Sequence, residues 1–203
     1  MRIIFMGTPA FAENVLNALI ESGHHIVACY TQPDKPAGRK MKILEPAVKV
    51  RARAINIPVH QPVTLREKDV EEQISDYAPD MIITAAYGKI LPQSILNIPP
   101  KSCLNVHASL LPQYRGAAPV QWALINGEKK TGVTIMQMDA GMDTGDILSQ
   151  SETAIEDDIN AAALMDKLAL MGAELLVNTL PDYISGKITP QPQDDKLATH
   201  APP

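Results

Sequence analysis

The sequence predicts an α/β fold, a mostly parallel twisted sheet with helices on both faces. Two observations predict it. Apolar runs of strand length alternate with helix-length amphipathic segments along the chain, and the first thirty residues already read as a strand-helix-strand unit with no sign of an internal repeat. At 203 residues and 45% hydrophobic composition, the chain is long enough to bury a sizeable core and is expected to form one compact unit.

Taken in order, residues 2–6 read as a buried strand, followed by a Gly7-Thr8-Pro9 turn and a helix over 11–22. Phe11, Val15, Leu16, Leu19 and Ile20 share one face of that helix, and Gly23 ends it. The apolar run 26–30 follows at once, so the two strands are expected to be parallel with a right-handed crossover. Residues 31–40 are dense in Pro, Gly and charge, without period, and read as a loop. A helix over 46–54, a short apolar 57–59, a polar helix over 67–77 and a strand over 81–85 continue the alternation. Beyond Pro92, the β-like segments 103–106 and 131–138 flank a helix over 117–125 that stops at Asn126-Gly127. A further strand over 148–153 precedes a closing helix over 160–180, with Ala163, Leu164, Leu168, Met171, Leu175 and Leu176 at helical spacing. After Pro181 the signal fades, and the tail, rich in Pro, Gln and Asp, reads as a linker.

A net charge of −5 excludes a surface that is basic all over, the usual footprint of nucleic-acid binding, but leaves room for a local basic patch. Cys29 and Cys103 each lie in an apolar segment, away from any partner at metal-ligand spacing. They read as reduced buried thiols, not as a disulfide or a zinc site. The N-terminal apolar run is too short for a signal peptide, and nothing approaches the ~20 apolar residues of a membrane span, so a cytoplasmic protein with no membrane partner is expected.

Three segments carry chemistry. The Gly7-Thr8-Pro9 turn sits where a dinucleotide-binding loop would, but Pro9 and Ala12 occupy places where that fingerprint needs glycine. A turn able to hold a small anion is what remains. In the second segment, a strand delivers Asn105 and His107 two residues apart, on one face, ahead of a Pro- and Gly-bounded turn. An amide and an imidazole side by side at a strand end suit a carbonyl oxygen as it becomes an oxyanion. The third is an acidic loop in which Asp139, Asp143 and Asp146 interleave with Gly141 and Gly145 just after a strongly alternating strand. It lacks the closing Glu of a calcium loop, so no metal is expected. One of the three carboxylates can orient the imidazole and pass protons.

Several motifs together resemble the methionyl-tRNA formyltransferase family, over nearly the whole chain. They are Gly7-Thr8-Pro9-x-Phe11-Ala12, Gln32-Pro33-Asp34-x-Pro36-Ala37-Gly38-Arg39, Ala86-Tyr87-Gly88, Asn105-Val106-His107-x-Ser109-Leu110-Leu111-Pro112-x-Tyr114-Arg115-Gly116-Ala117-Ala118-Pro119, and the run from Gly132 through Asp139-x-Gly141-x-Asp143-Thr144-Gly145-Asp146. The Asn-x-His pair and the Asp of the second loop are shared with folate-dependent formyltransferases at large. The Gln-Pro-Asp-x-Pro-Ala-Gly-Arg loop and the Arg-Gly-Ala-Ala-Pro stretch narrow the resemblance to the tRNA enzymes.

The resemblance implies a Rossmann-like formyltransferase fold with a catalytic trio of Asn105, His107 and Asp143. It implies 10-formyltetrahydrofolate as formyl donor, with no metal, held by Ser109, Leu110, Leu111 and Pro112. Tyr87, Gly88, Lys89, Ile90 and Leu91, with Asp139 and Gly141, would wall the pterin. Arg39, Lys40 and Lys42 belong to the loop that would reach the initiator methionyl-tRNA. Residues 1–185 would be the catalytic domain and 186–203 the start of a linker to a C-terminal tRNA-binding domain that lies outside this sequence. A monomer is expected. The rival expectations are the same donor chemistry on another amine, such as glycinamide ribonucleotide or an amino sugar, hydrolysis of the donor, and a non-catalytic nucleotide-binding module built on the Gly7 turn.

Overall fold

The computed structural model describes residues 1–37 and 42–203; Arg39 and Lys40 lie outside the described residues, and of Lys42 only the backbone is described. The chain divides into two compact units, Met1–Ser102 and Cys103–Pro203, where the sequence suggests one. The Pro99-Pro100 pair lies just before the division. It falls between Ser102 and a buried Cys103 that opens a strand, and a two-residue proline pair alone does not distinguish a unit boundary from a turn ahead of that strand.

In the first unit, strands β1 (Arg2–Gly7), β2 (His25–Tyr30), β5 (Val59–His60) and β6 (Met81–Ala85) pair in parallel in the order β5-β2-β1-β6. β1 is flanked on both sides, and Ile3, Ile4, Phe5 and Met6 are all fully buried. This is why it reads as an unbroken apolar run and not as an alternating strand. Helix α1 (Ala10–Glu21) buries Phe11, Ala12, Val15, Leu16 and Leu19, and Gly23, at φ +80°, ends it in a conformation that glycine adopts freely. α1 packs on α2 (Ala47–Ala54) and on β1, β2 and β6. α3 (Lys68–Asp76) and the short α4 (Gln93–Leu96) complete the unit. The segment expected to be only loop contains strand β3 (Lys35–Ala37), which pairs antiparallel with β4 (Lys42–Leu44).

The Gly7-Thr8 turn has a structural use. A Cβ at Gly7 would sit 2.5 Å from Ala12 Cβ and 2.8 Å from Ala85 O, so glycine permits the close approach of β1, α1 and β6. Thr8 Oγ1 donates to Tyr87 O (3.2 Å) and accepts from Gln32 N (3.2 Å), tying together the segments that follow β1, β2 and β6.

In the second unit, β7 (Cys103–His107), β8 (Lys130–Gln137) and β9 (Ile147–Ala154) pair antiparallel in that order. α5 (Pro119–Ile125) joins β7 to β8, and α6 (Ala161–Ile184) packs on all three strands and on α5. Asn160 caps α6 by accepting from Ala163 N at 3.0 Å. The helix continues four residues past its expected end. Pro181 lies inside the helix, where the proline ring's fixed φ is compatible, and it forgoes the bond its missing N–H would have made to Val177, one turn from the terminus.

Residues 187–203 are not loose. Gln191 exchanges two backbone hydrogen bonds with Ile147 (2.8 and 2.9 Å), Arg115 N donates to Thr199 O (2.9 Å), and Ala201 N donates to Arg115 O (2.8 Å). Ala201 is fully buried, and Trp122 Nε1 donates to Pro202 O (2.8 Å). The tail therefore runs along the 112–118 segment, near the chemistry-bearing residues. Among the described residues, no helix is long and apolar enough to cross a membrane.

Candidate active site

β7 ends at His107, and its period of two puts Asn105 and His107 on one face, as expected. The loop between β8 and β9 returns Asp143 to them. Asn105 Nδ2 lies 3.4 Å from Asp143 Oδ1, and His107 Nδ1 lies 3.6 Å from Asp143 Oδ2, near enough for an ion-pair contact but beyond a hydrogen bond. Gly116 N donates to the same Oδ2 at 2.9 Å. His107 is 6% exposed, and its Nε2 lies 2.9 Å from Tyr114 O. A carbonyl can only accept, so Nε2 carries a proton. Nδ1 faces the Asp143 carboxylate.

The turn after β7 is held from below by Thr134 of β8. Its hydroxyl donates to Ser109 O (2.7 Å) and accepts from Leu111 N (3.1 Å) and Gln150 Nε2 (2.9 Å). Ser109 Oγ donates to Gln113 O (2.6 Å), and the Leu111–Pro112 peptide bond is cis. Ser109 and Leu111 are buried, while Leu110 and Pro112 are half-buried. In the acidic loop, Asp139 Oδ1 accepts from Gly141 N (3.0 Å) and Thr144 Oγ1 (2.7 Å), so this carboxylate braces the loop. Among the described residues, no three His, Cys, Asp or Glu side chains gather as metal ligands would.

Tyr87, Gly88, Lys89, Ile90 and Leu91 belong to the first unit, in the segment after β6. Tyr87 is 3% exposed and, among the described residues, its hydroxyl has no hydrogen-bond partner; burial pushes its pKa up. The Lys89 ammonium donates to Pro62 O (2.8 Å) and to Val63 O, and burial together with the nearby Lys35 charge lowers its pKa. Gly88, at φ +79°, is exposed, Ile90 is 63% exposed, and Leu91 is buried.

An amide and an imidazole around one carboxylate can polarise a carbonyl oxygen and move a proton, which is the equipment of acyl transfer to an amine. A sequence profile described as formyl transferase matches residues 1–180. The chain belongs to the formyl transferase family. The methionyl-tRNA formyltransferase of Geotalea uraniireducens is 51% identical over 202 residues, covering 100% of this chain and 64% of that protein. That of Geobacter metallireducens is 52% identical over 202 residues, again covering 100% of this chain and 65% of its own length. The chain thus spans a little under two thirds of the curated relatives it matches. Glycinamide ribonucleotide transformylase 1 from Symbiobacterium toebii shares the fold, with a TM-score of 0.79 at 18% identity over 96% of this chain and 94% of that one.

Membership of the formyl transferase family accords with the α/β architecture expected from the alternation. The residues around the trio went unseen in the sequence. The Tyr114 carbonyl that holds His107, the Gly116 N–H on Asp143, Thr134 under the turn, and the tail residues Gln193 and Thr199 act through backbone groups or across long separations. A single sequence gives no pattern for either.

Proposed function

We propose that this chain is the catalytic part of a methionyl-tRNA formyltransferase, transferring the formyl group of 10-formyltetrahydrofolate to the α-amine of initiator methionyl-tRNA. The convergence of Asn105, His107 and Asp143 carries this reading of the chemistry. The relatives' names, at about half identity over the whole chain, support the acceptor. The folate supplies an activated formyl carbon on nitrogen. Attack by the free-base amine forms a C–N bond, the bond from that carbon to the folate nitrogen breaks, and one proton passes from the amine to the departing nitrogen. Asn105 and the His107 imidazolium stabilise the negative charge on the former carbonyl oxygen. Asp143, beside both, holds His107 in its orientation and relays the amine proton, directly or through water, toward the departing folate nitrogen.

Ser109, Leu110, Leu111 and Pro112 would contact the folate. Tyr87, Gly88, Lys89, Ile90, Leu91, Asp139 and Gly141 would line the pterin, and the buried Tyr87 hydroxyl, without a partner among the described residues, suits a polar ring edge. Arg39, Lys40 and Lys42 would meet the tRNA as phosphate-binding cations. Residues 1–185 form the catalytic domain in this reading, with 186–203 leading toward a tRNA-binding domain. The protein acts in the cytoplasm as a monomer, and the scheme requires no metal.

The test is formyl transfer from 10-formyltetrahydrofolate to methionine-charged initiator tRNA, beside glycinamide ribonucleotide as acceptor, with His107→Ala and Asn105→Ala as controls. Formyl-methionyl product is expected, with each variant slower by roughly 10²- to 10³-fold and still folded. Transfer to glycinamide ribonucleotide alone would overturn the acceptor, and failure to bind the donor would overturn the reaction.

A further inference from the structure

Asp143 sits in the acidic loop at φ +55°, in the left-handed region that a non-glycine residue enters only when something holds it there. The holding group comes from the tail. Gln193 Nε2 donates to Asp143 O at 2.9 Å and to Gly145 O at 2.7 Å, so both amide hydrogens are spent on the loop backbone on either side of Thr144. Gln193 Oε1 in turn accepts from Arg115 Nε (3.0 Å) and Arg115 Nη2 (2.9 Å), and the same Nη2 donates to Asp195 Oδ1 (2.8 Å). Arg115 is only 5% exposed. Its partners determine which way the amide faces. Rotated by half a turn, the amide would set its NH2 against a guanidinium and its oxygen against two carbonyls, replacing four attractive contacts with four repulsive ones.

We infer that Gln193 is a positioning residue for the reaction, fixing Asp143 where its carboxylate meets His107, Asn105 and Gly116 N, and that Arg115 sets the direction of the Gln193 amide. The inference rests on the proposed formyl transfer for its kinetic consequence, but not for its geometry. Without the two donors, the Asp143 and Gly145 carbonyls turn toward water and the Asp143 backbone relaxes from the left-handed region. The carboxylate then leaves the 2.9 Å contact with Gly116 N that registers it against β7 and the turn. The last residues of the chain thereby act on the chemistry without touching substrate.

Two variants test it in the whole protein. Gln193→Met keeps the length and removes every hydrogen bond, whereas Gln193→Glu keeps the Arg115 contact, and with it the docked tail, while replacing the loop-facing donors by an acceptor. Each is expected to lower kcat for formyl transfer by roughly 10- to 100-fold with little change in KM for the donor, the size expected of a small misplacement of a catalytic group. Combined with Asp143→Asn, neither is expected to cause further loss, because Asp143 is the group they act through. A folded Gln193→Glu protein with the parent kcat would overturn the inference. So would an equal loss on the Asp143→Asn background, which marks a general structural role. Hydrogen exchange at Gly116 N–H reads the geometry without activity. It should quicken at least about tenfold in Gln193→Met, and unchanged exchange refutes the positioning. If the parent protein transfers no formyl group while Gly116 exchange does quicken, the formyltransferase reading fails and the positioning stands.

Discussion

Replacing Thr134 by valine separates hydrogen bonding from apolar burial under the site, because the two predict opposite rankings. Thr134 is fully buried on β8, opposite His107, and its hydroxyl is saturated, donating to Ser109 O and accepting from Leu111 N and Gln150 Nε2. Valine fills the same volume. It gains apolar burial of about 1 kcal/mol for the added methyl, but strands the Ser109 carbonyl and the Leu111 N–H at about 1–3 kcal/mol each. Gln150 keeps Leu111 O at 2.8 Å and is the least affected. The net expectation is a loss of about 3 kcal/mol. Thr134→Ser keeps every hydrogen bond and loses one methyl, about 1 kcal/mol. At roughly 2–4 °C per kcal/mol for a chain of this size, thermal unfolding should place the valine variant about 10 °C below the parent and the serine variant about 3 °C below. A valine variant as stable as the parent, or more stable than the serine one, would refute the claim that this hydroxyl organises the turn after β7.

Other outcomes follow from individual contacts. Gly145→Ala would place a Cβ 1.8 Å from Gln137 O, a backbone atom that cannot step aside, so the acidic loop must shift. We expect a loss of roughly 1–3 kcal/mol in denaturant unfolding, together with impairment of the proposed formyl transfer. Burial pushes the Cys29 and Cys103 thiols up to about 12, so both should resist iodoacetamide at pH 8 in the native protein and react only on unfolding. The same shift fixes a pH dependence. Unfolded thiols ionise near ~8.5, so the native state binds more protons above that value. Their contribution to stability is complete below it and falls as pH rises toward 12. Cys→Ser variants should lose that alkaline slope in denaturant titrations, and an unchanged slope would assign it to other groups.

The sequence exposes the elements whose residues speak for themselves. Buried parallel strands such as β1 appear as solid apolar runs, and α1 and α6 show their faces at helical spacing. Asn105 and His107 are legible because two polar residues on one face of an otherwise apolar strand need a reason to be there. Among the three acidic-loop carboxylates, by contrast, the choice of Asp143 rested on resemblance. Only geometry shows Asp139 bracing its own loop while Asp143 meets β7. The tail was illegible for a different reason. Its contacts are hydrogen bonds between Gln191, Gln193, Thr199 and Ala201 and residues dozens of positions earlier, with no periodicity, so a polar Pro-rich stretch reads as linker although it is pinned.

The backbone conformations at the site show what the pinning achieves. Tyr114 (φ +60°) and Asp143 (φ +55°) both occupy the left-handed region, at about 1–3 kcal/mol each for a residue with a side chain. Both positions bear on His107, Tyr114 through the carbonyl that accepts from Nε2, and Asp143 through the carboxylate that faces Nδ1. An extended or right-handed Tyr114 would turn that carbonyl away and leave a buried imidazole proton unsatisfied. Neither strained residue is stabilised by its sequence neighbours alone. Thr199 Oγ1 accepts from Tyr114 N at 2.8 Å, Gln193 holds the Asp143 carbonyl at 2.9 Å, and Gly116, whose own N–H binds Asp143, has Ala201 O where a Cβ would be, 2.7 Å away. Residues 193–201 therefore compensate strain on both sides of one histidine. Removing the tail should release Tyr114 and Asp143 together, costing the site its geometry before it costs β7, β8 and β9 their pairing.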